Sequence, residues 1–330
     1  MRRVLVSIII LVATLAGALV WWLNQGLRLP APTVDVAIEA GTSARAVAQL
    51  ISDAGVDVNP LLLYGWFRLS GQARLIRAGS YEIGADTSPR DLLRKLVRGE
   101  EALRAVTLLE GWTFAQVRAA LAKAEQLKPD SIGLPDYLIM KTLGRPGLHP
   151  EGRFFPDTYT YAKGSSDLAL LRRAMRAMDK NLEIAWRQRL PATPLKSAEQ
   201  ALTLASIVEK ETGRASDRSL IAGVFSNRLA QGMLLQTDPS VIYGMGDAFD
   251  GNLRRRDLQT DTPWNTYTRA GLPPTPIAMP SKASLLAAVQ PAPTRALYFV
   301  ARGDGSSEFS NSLEEHNRAV NKYQRRANGK

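Results

Sequence analysis

Cysteine is absent from all 330 residues. That excludes disulfide staples, thiol nucleophiles and Cys-ligated metal sites, and it leaves the compartment unreadable from disulfide content. Histidine is nearly absent: His149 and His316 are the only two. Two are too few for a His-rich site, and no HExxH spacing supports a zinc centre. No GxSxG turn occurs, so a Ser-His-Asp triad has no support. Neither a metal nor a cofactor is expected. Internal repeats and low-complexity tracts are also missing.

Acidic residues are the minority among the charges. Lys and Arg number 42 against 31 Asp and Glu, a formal net charge of +11 with a pI near 10.0. Such a chain favours acidic partners or anionic surfaces, or simply carries a solvated basic face. The densest clusters are Arg254-Arg255-Arg256 and Arg325-Arg326. No basic region with interleaved stacking aromatics, zinc finger or RNP-like strand accompanies them, so no nucleic-acid partner is expected. With 45% hydrophobic and 22% charged residues the chain should fold, and its length suits two domains.

The first feature present is Val4–Leu23, twenty residues without a charge, with only Ser7 and Thr14 polar. About 20 apolar helical residues span a bilayer core. Arg2 and Arg3 precede the run and Trp21-Trp22 close it, as the positive-inside rule and the interfacial preference of indoles would arrange. Residues 1–3 are then cytoplasmic, 4–23 a transmembrane anchor, and the rest exported. A cleaved signal peptide has a shorter apolar region of about 7–15 residues, and here the run continues through Val20–Leu23. An uncleaved anchor is therefore expected. Residues 24–33 hold Pro30 and Pro32 and read as a linker.

Beyond the linker, Val34–Ile38 alternates like a half-buried strand. Thr42 or Ser43 can cap a helix over Ala44–Asp53, Pro60–Ser70 reads as a second helix, and Ile76–Ile83 as a returning strand. Ser88-Pro89 opens a helix ending near Gly99. Ala102–Leu108 should be a strand, and Thr113 with Gln116 forms a capping box. Leu127–Gly147 has no clear period. Leu168–Leu190 is a long amphipathic helix, and Ser197 with Gln200 opens the helix carrying Glu209 and Glu211. Helices are expected over Ser219–Gly232 and Ser281–Val289, then a hairpin around Gly303-Asp-Gly305 and a last helix capped by Ser312 and Glu315. Strands and helices mix without β-α alternation, so the fold class is α+β.

Three blocks stand out in order. Ala205–Thr212 reads Ala-Ser-Ile-Val-Glu-Lys-Glu-Thr. Leu235–Gly244 reads Leu-Gln-Thr-Asp-Pro-Ser-Val-Ile-Tyr-Gly. Pro263–Tyr267 reads Pro-Trp-Asn-Thr-Tyr, and Gly271-Leu-Pro-Pro274 follows it. A carboxylate-bearing helix followed by two polar, aromatic loops resembles the MltG/YceG family of membrane-anchored endolytic murein transglycosylases. The resemblance covers roughly residues 35–325. It implies a YceG-like catalytic domain over 106–330, and the strand–helix–helix–strand order separately resembles a LysM-like subdomain over 34–105, with a packing unit as the alternative. It also implies a single-pass inner-membrane protein with its C-terminal domain periplasmic. The partners it implies are peptidoglycan glycan strands and penicillin-binding proteins.

The implied chemistry is cleavage of the MurNAc–GlcNAc bond. The sugar's own C6 hydroxyl attacks C1, leaving a 1,6-anhydro end, so one carboxyl can act as acid and then base. It must be protonated near neutral pH, which apolar neighbours favour. Glu209 and Glu211 lie about 200° apart on a helix and cannot both enter one cleft. They flank the apolar face of Ala201, Leu204, Ala205 and Val208, so periodicity does not choose. The family pattern assigns Glu209 as the acid/base and leaves Glu211 as a supporting residue. Gln236, Thr237 and Asn265 offer polar groups suited to sugar hydroxyls and acetamido groups, and Tyr243, Trp264 and Tyr267 offer faces for pyranose rings. Asp238, before Pro239, is expected to support a helix start. Two other readings are a non-catalytic peptidoglycan-binding scaffold and a hydrolase pairing Glu209 with Asp238 or Asp261.

Overall fold

The structure is a computed structural model that describes residues 2–325; Met1 and residues 326–330, Arg326 of the second basic cluster among them, lie outside it. It is a mixed α+β protein whose strands form three separate two-stranded ladders among the described residues. The chain divides into two compact units. The first comprises the residues up to Arg104 together with Thr160–Gly164, and the second comprises Ala105–Tyr159 and the residues from Ser165 onward.

In the first unit, α1 (Arg2–Leu23) contains the one described helix long and apolar enough to cross a membrane, with mean hydropathy 2.7 over Val4–Leu23. From Val4 to Ala18 it is exposed; Leu19 is half-buried, Trp22 packs on the unit's core and Leu23 is buried. Strand β1 (Thr33–Ile38) turns Val34, Val36 and Ile38 inward. It is followed by α2 (Ala44–Asp53), α3 (Pro60–Leu69) and β2 (Gly79–Gly84). The two strands pair antiparallel with Val36 opposite Tyr81. The strand–helix–helix–strand order matches the expectation. Helix α4 (Pro89–Arg98) starts on the Ser88 side chain and stops at Gly99, whose φ of +69° suits glycine. Ile51, Leu63, Phe67, Tyr81, Ile83 and Leu92 form a dry core. The buried Tyr81 hydroxyl donates to the Arg77 carbonyl at 2.9 Å.

Strand β3 (Leu103–Thr107) pairs with β4 (Thr158–Ala162), and the chain's passages between the units lie in or just beyond this ladder. The returning segment belongs to the first unit through Lys163, whose Nζ pairs with Asp35 at 2.6 Å and whose carbonyl accepts from Ser80 Oγ at 3.2 Å.

The second unit begins with α5 (Phe114–Lys123), on the full Thr113/Gln116 capping box, and α6 (Asp136–Thr142). Helix α6 lies inside the stretch that shows no period, because Pro135 sets its N-terminus and breakers flank so short a helix. The core is helical. It is built by α7 (Asp167–Arg187), α8 (Ala198–Glu211), α9 (Ala215–Ala230) and, later in the chain, α12 (Lys282–Val289). Between them come α10 (Asp238–Met245) and α11 (Arg255–Gln259). Hairpin β5 (Tyr298–Ala301) and β6 (Ser307–Ser310) and then α13 (Leu313–Val320) follow. Helix α8 is the axis: from Ala201 to Val208 every residue is buried. The expected picture of one apolar face with polar flanks is thus replaced by a helix enclosed on all sides. Ser206 keeps its hydroxyl satisfied there, donating to Thr203 O at 2.7 Å and accepting from Ile277 N at 2.9 Å. Close packing of α9 depends on Gly223: a Cβ there would sit 2.7 Å from Thr294 Cγ2 and 2.9 Å from the Ala292 carbonyl.

Candidate active site

Helix α8 emerges from the core at its last turn, where Glu209 and Glu211 point in different directions. Glu209 Oε2 accepts from the backbone N–H of Ser281 at 2.8 Å and from its hydroxyl at 2.5 Å. Ser281 is the N-cap of α12, so this carboxylate closes the joint between α8 and the start of α12. Lys210, between the two glutamates, reaches the Gly111 carbonyl at 3.3 Å. The Gly111 loop is itself held by Gly111 N–H to Met279 O at 2.8 Å and Met279 N–H to Trp112 O at 2.7 Å.

Glu211 instead lines a cavity of about 550 Å³ within the second unit. Its carboxyl accepts a short hydrogen bond from the Thr237 hydroxyl. Burial pushes its pKa up to about 7; the nearby Asp238 charge adds to this, while the Thr237 bond and the Arg228 charge oppose it. A carboxyl in that range is partly protonated at neutral pH and can give or take a proton.

The cavity wall next to Glu211 is made by the Leu235–Asp238 segment. Arg228, buried in α9, grips this segment from below: Nη1 donates to Leu234 O at 3.1 Å and Leu235 O at 2.8 Å, and Nε donates to Leu297 O at 2.7 Å. Gln236 then adopts a φ of +50°, rare for a residue with a side chain, and lines the cavity. Its N–H donates to Thr266 O at 3.1 Å, and Thr237 N–H donates to Thr266 Oγ1 at 3.0 Å. Pro239 follows Asp238 in the first turn of α10. Asp238 Oδ1 accepts from the Tyr267 hydroxyl at 2.5 Å, and both residues line the cavity.

The expected site residues therefore separate. Gln236, Asp238, Tyr267 and Glu211 line one cavity, with Thr237 buried behind Glu211. Glu209, expected as the acid/base, does not line it; its Oε2 is held by Ser281. Asn265, expected to meet sugar, is fully buried. Its Nδ2 donates to Leu258 O at 3.0 Å and Thr260 O at 2.7 Å, and its Oδ1 accepts from Tyr267 N–H at 2.8 Å. It shapes the turn that presents Tyr267. Tyr243 packs edge-on against Trp264 at 5.5 Å and turns its hydroxyl to Glu151, away from the cavity. Asp261 is committed to Arg269 at 2.8 and 2.9 Å, which holds its carboxyl down to about 2.

Sequence reading overlooked Arg228, Tyr298 and His316 on the cavity wall, because no local pattern marks them. It also passed over Glu151. That carboxylate is buried, accepts from Phe114 N–H at 3.0 and 3.2 Å, and is pushed up to about 7 by burial, against the lowering effect of the Phe114 and Tyr243 hydrogen bonds.

Comparison with known proteins agrees with the family resemblance. The sequence profile of the YceG-like family matches residues 36–322. A Bacillus subtilis protein named endolytic murein transglycosylase is 31% identical over 311 residues, covering 88% of this chain and 85% of that one. A Streptococcus pneumoniae protein of the same name is 29% identical over 325 residues, covering 87% of this chain; the match spans 58% of the pneumococcal protein. The 2.6 Å crystal structure of a YceG-like protein from Listeria monocytogenes superposes with a TM-score of 0.56 and 31% identity, covering 87% of this chain and 98% of that one. With most of its length inside the family profile, the chain belongs to the YceG-like family.

Proposed function

We propose that this protein is a lytic transglycosylase of peptidoglycan, anchored in the inner membrane by α1 with residues 1–3 cytoplasmic, and that Glu211 is its acid/base. The observation that carries the reading is the Glu211 carboxyl, raised to about 7 on the wall of a cavity flanked by sugar-suited polar and aromatic groups, in a chain of this family. The relatives named endolytic murein transglycosylases supply the substrate class.

Protonated Glu211 donates its proton to the glycosidic oxygen leaving C1 of the muramic acid residue as that bond breaks. The resulting carboxylate takes the proton of the C6 hydroxyl while its oxygen bonds to C1. The product is a 1,6-anhydro end, no water is consumed, and Glu211 is again protonated. A second carboxylate is not required, unlike in hydrolysis. Thr237 tunes the acid, and Gln236, Asp238 and Tyr267 orient the sugars. Glu209 serves as an acceptor that fixes the α8–α12 joint. Residues 34–105 are proposed as a LysM-like glycan-holding module on the strength of their strand–helix–helix–strand order, and penicillin-binding proteins are proposed partners from the family resemblance.

The test is mass spectrometry of purified peptidoglycan digested by the full-length protein in detergent. Anhydro-muropeptides are the expected product. Ends heavier by one water would make it a hydrolase, and no cutting by folded protein would favour a scaffold. A C-terminal fluorophore that matures only in the cytoplasm should stay dark in cells; bright cells would reverse the orientation.

A further inference from the structure

Helix α3 reads Pro-Leu-Leu-Leu-Tyr-Gly-Trp-Phe-Arg-Leu and carries a single charge, Arg68. Leu63 and Phe67, four positions apart, are buried in the core of the first unit and account for one face. A surface helix normally turns polar residues outward on the other. Here the outer face is apolar too. Leu62, Gly65 and Leu69 follow one stripe, with Leu61 and Arg68 on the next, and Leu61 and Leu69 are 64% and 76% exposed. The short turn Ala73–Leu75 adds Arg74 and Leu75, both exposed.

Charge on this patch has one sign. Between Asp57 and Glu82 the chain has no acidic residue and three arginines, Arg68, Arg74 and Arg77, all exposed. Elsewhere in the unit Arg94, Arg98 and Arg104 are paired with Asp91, Glu100 and Glu82.

The unit has little freedom to swing away from α1. Leu27 is buried and donates its N–H to Thr87 O at 2.9 Å, and the Arg28 carbonyl accepts from Asp57 N–H at 2.9 Å, three residues before α3. Trp22 and Leu29 pack on the same core as Tyr64 and Trp66 of α3. With α1 in a bilayer, the unit is held at the helix end, and one of its faces meets the headgroups. Leucines interspersed with arginines, beside a half-buried Trp and Tyr, are the composition of a helix that lies in that interface.

We propose that Leu61, Leu62, Leu69 and Leu75, with Arg68 and Arg74, seat the first unit on the anionic surface of the bilayer that α1 enters. The leucines enter the headgroup layer and the guanidinium groups meet lipid phosphates. The unit then keeps one orientation on the membrane. The inference rests on reading α1 as a membrane anchor and is independent of the acid/base assignment.

The experiment uses full-length protein in lipid vesicles. The chain has no cysteine, so one introduced thiol takes a spin label at a single place. Labels at Leu62→Cys and Leu69→Cys should collide more with dissolved oxygen than with a water-soluble nickel chelate. A label at Ala37→Cys, on the exposed side of β1, should do the reverse. Arg68→Gln and Arg74→Gln should each lower the seated-to-free ratio by about fivefold in vesicles containing anionic lipid. Leu62 and Leu69 labels as open to the chelate as the Ala37 label would overturn the seat. Equal immersion in purely zwitterionic vesicles would overturn the anionic surface as the occupant. Labels shielded from both reagents and broadened by one another would mean a second copy on this face, which also overturns it. Protein that carbonate washes off the vesicles sinks the anchor reading instead, so the two failures are told apart.

Discussion

On one side of the last turn of α8 lies a closed joint, on the other an open cavity, and a glutamate faces each. Glu209 meets two donors from a single residue 72 positions later, at the start of a helix. Glu211 meets one hydroxyl from 26 positions later and has a cavity in front of it. The two share a helix, a motif and a side chain. What separates them is which later segment arrives beside each. In the proposed reading, donor supply makes Glu209 a strut, and access with burial makes Glu211 the acid/base.

The sharpest way to break this comparison is to replace each glutamate by its amide. Glu211→Gln should lower glycan cutting by a factor on the order of 10² to 10⁴, because the amide cannot carry the proton. Glu209→Gln should lower it by less than about tenfold, since an amide oxygen can still accept from Ser281. Counting anhydro ends by mass on intact peptidoglycan decides; the reverse pattern would return the acid/base role to Glu209.

Glu151 extends the contrast, because it too is raised to about 7 yet lies outside the cavity. Its folded pKa lies above the unfolded value, so folding favours the protonated form. Wild-type stability should therefore fall as pH rises from about 4.5 to 7, by up to about 3 kcal/mol for this group. Glu151→Gln should lose that part of the slope and keep its activity. Urea unfolding at pH 5 and pH 8 measures it; an unaltered slope with lost cutting would make Glu151 part of the chemistry.

Glu209→Ala strands both Ser281 donors and should cost about 1–3 kcal/mol, seen as a lower Tm in a thermal melt. An unchanged Tm would remove Glu209 from the joint. The smallest effect is expected from Thr237→Val. The hydroxyl favours the charged form of Glu211, so its loss raises that pKa further and should move the alkaline limb of the rate profile to higher pH. A limb that stays put would mean that Glu211 does not set it.

Much of this arrangement is written locally. Ser43, Ser88-Pro89, the Thr113/Gln116 box and Ser312 each set a helix start through contacts within a few residues, and the structure has them where the sequence puts them. The three motif blocks are local too, each a short run of sequence, and the family they resemble is the one whose profile matches residues 36–322. The site is less legible. Choosing between Glu209 and Glu211 needs α12 and α10, which no periodicity of α8 reveals, and the enclosure of α8 on all sides hides the flanks that periodicity assumes. Asn265 reads as a sugar ligand because an amide that ties turn carbonyls looks the same in sequence as one that meets substrate. His316 carries no local signal; only the fold brings it against Tyr298.

The return of Thr160–Gly164 to the first unit bears on how this protein can be taken apart. A chain that leaves a unit, comes back for one short segment and leaves again cannot surrender that unit as a contiguous cassette. Deleting residues 34–104 would strip Lys163 of Asp35. Grafting the same stretch elsewhere would leave the graft without its last piece. Domain swaps, split genes and protease mapping on this scaffold therefore have to treat two separate stretches of sequence as a single part, and exchange between relatives should succeed only where both travel together.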